Sequence, residues 1–407
     1  MKCRHCENEL KYKFADLDKA PPSNAYLENK GDIINEETYP LVTYVCDKCW
    51  LVQTEDFVSS ETLFNSKYAY VSSASNTWVN HCRDYSNMII DKLMLSEKSL
   101  VVEIASNDGC LLENFHNKNI QCYGVEPTDE VANMSISKGI ETYKKFFNSS
   151  VASELAHKNK ADLICGNNVY AHVPDINDFT LGLSILLNEH GSITLEFPHL
   201  LKLIQYNQFD TIYHEHFSYL SLNTVNTIFN KYGLEIYDVD RLSTHGGSLR
   251  VYGAHKSAKK NISGTVANIL EEENKFGIKD IKTYTSFQDK INLVTNDLKD
   301  FIKNAKNKKL VIAAYGAAAK GNTLLNFAGI TDNDIDFVID ASPLKINMLL
   351  PGSHIPIYDI SELKKNKPDV IIILPWNLSS EIKAILDNIN DWGAEYVSFI
   401  PSTKIYK

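Results

Sequence analysis

The sequence predicts an α/β protein, with a cysteine-paired N-terminal module followed by two open, doubly wound parallel sheets. Three observations predict it. Two Cys-x2-Cys pairs, Cys3/Cys6 and Cys46/Cys49, stand near the N-terminus. Leu100–Gly109 (LVVEIASNDG) and Tyr123–Pro127 (YGVEP) read as strand, turn, helix start and second strand, the last ending on the carboxylate of Glu126. Lys309–Asn322 repeats the pattern, with the apolar run KLVIAAY entering a turn at Gly316.

Composition bounds the answer. At 407 residues the chain is too long for one ordinary domain, and two or three are expected. A 44% hydrophobic and 23% charged composition can build sizeable cores. The net charge of −10 argues against nonspecific nucleic-acid binding, which needs clustered lysine and arginine. No apolar run approaches the roughly 20 residues of a membrane span. The chain opens on MKCRHC, already part of a motif, and seven of its eight cysteines precede residue 125. That pattern suits metal ligation in a reducing cytoplasm better than disulfides. A cytoplasmic monomer or homodimer is expected.

Residues 1–57 read as a zinc ribbon-like module. Each Cys-x2-Cys knuckle turns two thiolates toward one ion, and Cys3, Cys6, Cys46 and Cys49 complete a closed tetrahedral site. Four cysteines leave no open position, so this zinc is structural. The 39 residues between the knuckles exceed a minimal ribbon. His5, between the first pair, reads as a bystander.

Residues 58–256 read as the first α/β domain. Trp78, Cys82, Tyr85, Ile89 and Leu93 recur at helical spacing and lead into the strand Leu100–Ile104. Leu111, Leu112 and Phe115 continue helically after the turn. Val131–Ser137 reads as helix, Asp162–Cys165 as the third parallel strand, and Gly191–Phe197 as the fourth. Gly166–Asp175 (GNNVYAHVPD) follows the third strand at the carboxyl edge, where such sheets bind ligands, which makes Asn167 and Asn168 candidates. Leu234–Leu242 and Ser248–Ala254 are two strands with no helix between them. That appended hairpin is how a class I S-adenosylmethionine (SAM) methyltransferase domain ends, and is foreign to a dehydrogenase domain.

The loop chemistry agrees. A dinucleotide fold wants G-x-G-x-x-G for its pyrophosphate. Here the turn is Ala105-Ser106-Asn107-Asp108-Gly109, with one glycine and an acid. SAM carries a cationic sulfonium and ammonium and no phosphate, so an acidic loop favours it. Glu103 would orient the loop or the methionine moiety, and Glu126 would accept the ribose hydroxyls.

At these residues the chain resembles a known family. CxxC…CxxC, EIASNDG, GVEP, NNVYAHVPD and a later YHEH are similar, in the same order and nearly end to end, to the SAM-dependent sugar C-methyltransferases. Members of that family methylate a ring carbon of nucleotide-linked keto sugars, as in the C3-methyltransferases of mycarose and tetronitrose biosynthesis. The resemblance implies a zinc module, a SAM domain and a second Rossmann-like domain. It also implies that Tyr213, Glu215 and His216, as Y-x-E-H, line the sugar site with His172 nearby. Ala105 stands where the family usually has glycine, and its methyl would crowd the methionine part of SAM.

Methylating carbon beside a ketone needs a base for the α-proton, stabilisation of the enolate oxygen, and an in-line methyl. Tyr213-His214-Glu215-His216 is the densest set of suitable groups. As an extended segment it would point Tyr213 and Glu215 one way and His214 and His216 the other, whereas a loop would gather more of them. We assign His216 as general base, Tyr213 to the enolate or sugar oxygen, and Glu215 to a ring or hydroxyl. Zinc binding by H-x-H is the weaker reading, since it offers two ligands. Lys67–Ser73 (KYAYVSS) would cover the cofactor, with Tyr70 near the methyl transfer. Ser243–Arg250 joins the appended strands, where His245 would meet substrate.

Residues 257–307 read as a linking helical pair, and residues 308–407 as a second Rossmann-like domain with strands at Lys309–Tyr315, Ile335–Asp340, Val370–Leu374 and Tyr396–Ile400. Gly316 at the first turn would admit a diphosphate at a helix N-terminus, with Lys320 neutralising it and Asn322 nearby. Trp376 would meet the base or ribose. Expected partners are therefore SAM, structural zinc and a nucleotide-diphosphate sugar, with no nucleic acid and no membrane. The rival functions are an O- or N-methyltransferase, an NAD-dependent sugar-nucleotide oxidoreductase, disfavoured by the missing G-x-G-x-x-G, and a non-enzymatic zinc-ribbon binding module on a degenerate methyltransferase fold.

Overall fold

The computed structural model describes residues 1–57 and 71–406. Tyr70 and Lys67–Tyr70 of the expected cofactor cover lie outside them.

Three sheets carry the chain. The first is antiparallel and runs β1 (Tyr12–Ala20), β2 (Tyr39–Val45), β3 (Val52–Thr54), the last strand following directly on the second cysteine knuckle. The second is built on β4 (Leu100–Ile104), β5 (Gln121–Val125), β6 (Glu141–Tyr143), β7 (Ala161–Asn167) and β8 (Leu187–Pro198), all parallel. Val101, Val102 and Ile104 of β4 are fully buried, as a central strand covered on both faces requires. A two-residue strand, β9 (Ser218–Tyr219), leaves this domain to pair with β3. The hairpin β10 (Leu234–Leu242) and β11 (Ser248–His255) closes the second sheet in the order β10-β11-β8-β7-β4-β5-β6, with β11 antiparallel to β8. The appended hairpin is therefore present where the sequence placed it. The strand read as third, β7, is fourth in the chain, because β6 precedes it. That edge strand is three residues of ETY and none is buried, so it carries no apolar signal.

The third sheet contains β12 (Ile312–Tyr315), β13 (Phe337–Ile339), β14 (Ile357–Tyr358), β15 (Val370–Ile373), β16 (Glu395–Ser398) and β17 (Lys404–Tyr406). Its order, β14-β13-β12-β15-β16-β17, is that of a Rossmann sheet with an antiparallel final strand. The order reverses between β12 and β15, which puts Gly316 and Pro375, each just past one of these strands, at the switch point.

The two helical patterns expected at 257–307 are three helices. Gly264–Phe276 buries Glu273, whose carboxylate accepts from the backbone of Leu222 and Asn223 and from His199 Nε2. Ile281–Thr285 follows. Phe287–Asn307 buries Phe287, Ile291, Val294, Leu298 and Ile302 along one face. Phe287 stacks on Phe14 of β1 at 4.6 Å, so one core joins the N-terminal sheet to the C-terminal one.

The same joint explains the long gap between the knuckles. Residues 21–38, between β1 and β2, reach across to the C-terminal domain. Leu27 bridges to Leu349, and the Glu36 carboxylate accepts from Gly352 N and from His354 Nε2, both at 2.7 Å.

Candidate active site

The four cysteines come together at the base of the first sheet. Their sulfurs all lie within 4.8 Å of one another, with Cys3–Cys49 at 3.4 Å and Cys6–Cys46 at 3.5 Å. Among the described residues no other group of three histidines, cysteines or carboxylates could hold a metal. Gln53 Nε2 donates to Cys3 Sγ at 3.3 Å, and Asn8 Nδ2 lies 3.8 Å from Cys46 Sγ, the outer contacts that orient metal-bound thiolates. Four sulfurs and no open side fit a structural zinc. His5 stays out of the set and pairs with Asn177 Oδ1 at 2.8 Å, tying the module to the methyltransferase domain.

The end of β4 forms the second centre. Ala105 (φ 58°) and Asn107 (φ 50°) take left-handed backbone conformations around the buried Ser106. This gives a physical reason for glycine at position 105: it is the residue for which that conformation costs nothing. Gly124 of β5 must lack a side chain, because a Cβ there would overlap Ser106 Oγ. Glu126 Oε2 accepts from Asn107 N at 2.9 Å and Oε1 from Thr128 N at 2.8 Å, so this carboxylate shapes the loop and keeps further lone pairs for a ligand. Asn107 Oδ1 accepts from Ser72 N at 2.8 Å, so the start of the lead helix segment touches the loop.

Several buried polar atoms here have no hydrogen-bond partner among the described residues: Glu103 Oε2, Ser106 Oγ, Asp108 Oδ1, Asn167 Oδ1 and Nδ2, and Asn168 Oδ1. Such atoms are costly unless a ligand satisfies them. Burial pushes Glu103 well above the usual carboxylate range, with Cys110, Asp108 and Glu126 adding to it, and a bound cation reverses that preference. The set matches SAM, which brings a reactive methyl on a cationic sulfonium together with an ammonium and ribose hydroxyls.

The third centre is the Tyr213–His216 segment, which takes the loop form rather than the extended one. His216 N donates to Tyr213 O at 2.9 Å, so the segment is a turn whose first and fourth residues meet. Tyr213 OH lies 2.9 Å from His216 Nε2, and the rings are 4.0 Å apart. His216 Nδ1 donates to Thr211 O at 2.8 Å, which leaves the lone pair on Nε2. His214 turns away to the carbonyls of Tyr39 and Pro40. Glu215 is buried, takes Asn24 Nδ2 on Oε1 at 3.0 Å, and leaves Oε2 unpartnered. His172 donates from Nδ1 to Glu215 O at 2.8 Å and meets the His216 ring edge-on at 4.6 Å. Burial lowers His172 to about 4. His216 is held well below the ordinary histidine value, first by burial and then by His172. Both imidazoles are neutral bases at neutral pH.

The C-terminal domain reaches this centre through Lys320 and Trp376. Trp376 Nε1 donates to Asp210 Oδ2 at 2.7 Å, and the Lys320 ammonium sits 4.8 Å over the indole and 3.4 Å from Asn377 Oδ1. Burial pushes His245 down to about 3, and Lys320 is near enough to lower both it and His216 further. His245 (φ 53°) accepts from Asn168 Nδ2 at 3.2 Å, and the edge of Trp376 closes on Gly246, which has no room for a Cβ. Gly316 (φ 94°) is required by Pro375, which a Cβ would overlap. Its loop is held by Tyr26 OH and Lys345 Nζ, both donating to Ala317 O. Asn322 is drawn off to Ser23 O, with Oδ1 left unpartnered. Asn167, Asn168, His172, Tyr213, His216, His245, Lys320 and Trp376 thus belong to one neighbourhood.

Sequence reading missed three members. Asp210, an acid in the run QFDTIYHEH just before the turn, was open to notice; burial pushes it up to about 6. Asn24 carries no local signal, since it arrives from the insertion between the knuckles. Glu196, fully buried at the end of β8, joins His81 Nε2 at 2.8 Å and Arg250 at 2.6 Å, and these partners hold it below its ordinary value despite burial.

Comparison with known proteins agrees with this arrangement. Family models match a zinc binding domain at residues 3–64, a methyltransferase domain at 83–239 and a C-methyltransferase C-terminal domain at 243–401. Among solved structures, magnesium protoporphyrin IX methyltransferase from Synechocystis aligns at 14% identity over 44% of this chain and 82% of its own, with a TM-score of 0.34. A SAM-dependent methyltransferase from Clostridium acetobutylicum aligns at 14% identity over 44% and 92%, with a TM-score of 0.35. The C-methyltransferase NovU of Streptomyces niveus is 33% identical over 408 residues, covering 99% of this chain and 96% of that protein. At that identity over practically its whole length, the chain belongs to the C-methyltransferase family, and its chemistry is SAM-dependent methylation of carbon.

Proposed function

We propose that the carbon methylated is C3 of a nucleotide-linked 4-keto-deoxy sugar, reached through an enolate, in deoxysugar, polysaccharide or natural-product biosynthesis. The observation that carries the reading is the Tyr213–His216 pair, in which a base of fixed tautomer stands beside a hydroxyl donor. His216 Nε2 takes the α-proton, and the C–H electron pair moves into the ring while the ketone oxygen becomes anionic. Tyr213 turns its hydroxyl from Nε2 to that oxygen. Glu215, through its unpartnered Oε2, accepts a sugar hydroxyl. Neutral His172 packs the base in place. The enolate carbon then takes the methyl that SAM supplies.

Glu103, Ala105, Ser106, Asn107, Asp108, Glu126, Asn167 and Asn168 are the cofactor set in this reading. His245, Gly316, Lys320, Asn322 and Trp376 are the substrate set, with the diphosphate at the Gly316–Lys320 turn and the indole against the sugar or base. The division of labour follows residues 1–57, 58–256, 257–307 and 308–407. The test is methylation with SAM labelled with carbon-13 at the methyl, across 4-keto-6-deoxy sugars linked to different nucleoside diphosphates. A product whose labelled methyl is bonded to carbon supports the reading; one bonded to oxygen or nitrogen sinks it.

A further inference from the structure

The turn that carries Tyr213 and His216 is gripped at both ends by threonine hydroxyls from other modules. From the zinc-side sheet, Thr54 Oγ1 donates to His216 O at 2.9 Å, and Thr54 N donates to Phe217 O at 3.2 Å. From the C-terminal domain, Thr323 Oγ1 donates to Ile212 O at 2.9 Å. Both hydroxyls are buried. The zinc-side grip continues to the metal centre. Gln53, next in β3, pairs in register with Ser218, donates from Nε2 to Cys3 Sγ, and accepts Arg4 N on Oε1 at 2.9 Å. The carbonyl that fixes the His216 tautomer, Thr211 O, is the residue before Ile212. The base is therefore bracketed by two side-chain hydrogen bonds that originate outside the SAM-binding domain.

We propose that Thr54 and Thr323 are positioning residues for His216, and that docking of the zinc module and of the C-terminal domain on this turn sets the geometry of the base. Their hydroxyls act on the backbone of the turn, at His216 O and Ile212 O. Their effect is on where Nε2 points, so it is a kcat effect with little change in KM. The inference rests on His216 being the base only for its catalytic consequence; the positioning itself is measurable without substrate.

The experiment uses the full-length zinc-loaded protein labelled with carbon-13 at histidine Cε1, with the His216 signal assigned by its loss in His216→Asn. S-adenosylhomocysteine affinity reports whether each variant is folded. Thr54→Val and Thr323→Val should each shift or broaden the His216 signal and leave the S-adenosylhomocysteine affinity within about twofold. Thr54→Ser and Thr323→Ser, which keep the hydroxyl, should restore it. With a ketone substrate the valine variants should lose about tenfold in kcat at near-constant KM. If Thr54→Val does not fold, Gln53→Met, which removes the N–H···S contact to Cys3, takes its place. A His216 signal that stays at its wild-type position in the folded valine variants overturns the proposal. A signal that moves while His216→Asn retains activity leaves the positioning standing and removes the base assignment instead.

Discussion

The hydroxyl of Tyr213 stands 2.9 Å from Nε2 of His216, the ring nitrogen left bare by the bond from Nδ1 to Thr211 O. One turn thus brings together two side chains three residues apart, the base and the proton donor of the proposed mechanism. His216→Asn should lower kcat by about 10²–10⁴, the range for loss of a general base. Tyr213→Phe should lower kcat less, since the base remains. S-adenosylhomocysteine binding, measured by calorimetry, should be unchanged in both.

Protonation gives a second test. On the proposed mechanism the neutral form of His216 is the active one, and burial with its neighbours holds its proton affinity well below the ordinary value. A depressed pKa keeps the base competent to lower pH, so the acid limb of kcat should fall below 6.5. Asp210, pushed up to about 6, should add a limb near that pH to kcat/KM, which reports the free enzyme. Asp210→Asn keeps an oxygen for Trp376 Nε1 and should erase that limb.

The cofactor loop is sensitive to single methyl groups. Ala105 sits at φ 58°, so Ala105→Val should cost about 2 kcal/mol or more, while Ala105→Gly should be tolerated. Gly124 never contacts ligand directly in this reading, yet Gly124→Ala drives a Cβ into Ser106 Oγ. Its S-adenosylhomocysteine affinity should fall at least about tenfold, a difference of roughly 1.4 kcal/mol. Thermal unfolding and calorimetry together check both.

The metal centre should hold one zinc per chain by elemental analysis. Cys46→Ser should lose the ion and destabilise the fold by on the order of 4 kcal/mol, because it removes a structural metal. Melting temperature in the presence and absence of added zinc reads this out.

Much of the architecture was legible because its signals are local. Apolar runs such as LVVEI and VIII mark strands buried on both faces, and an interval between Leu242 and Ser248 too short for an α-helix marks the hairpin. The edge strand ETY was illegible because nothing in it needs burial. The acidic loop announced its ligand by charge, and the cysteine pairs announced theirs by spacing. The Tyr213–His216 segment stands out by its density of polar groups, while its sequence leaves open whether it is a strand, in which alternate residues part, or the turn observed. Asn24, Thr54 and Thr323 act on that turn from distant parts of the sequence. Contacts of that kind are set by how modules dock, and no local pattern encodes them.

Solvent deuterium exchange tests the central claim most directly. A nucleotide-linked 4-keto-deoxy sugar is incubated with the protein in deuterium oxide without SAM, and the carbon beside the ketone is followed by proton NMR. Uptake at C3 that is catalysed by the wild type and abolished in His216→Asn is the predicted result. Absence of catalysed uptake, or equal uptake by His216→Asn, would contradict an enolate formed by this base.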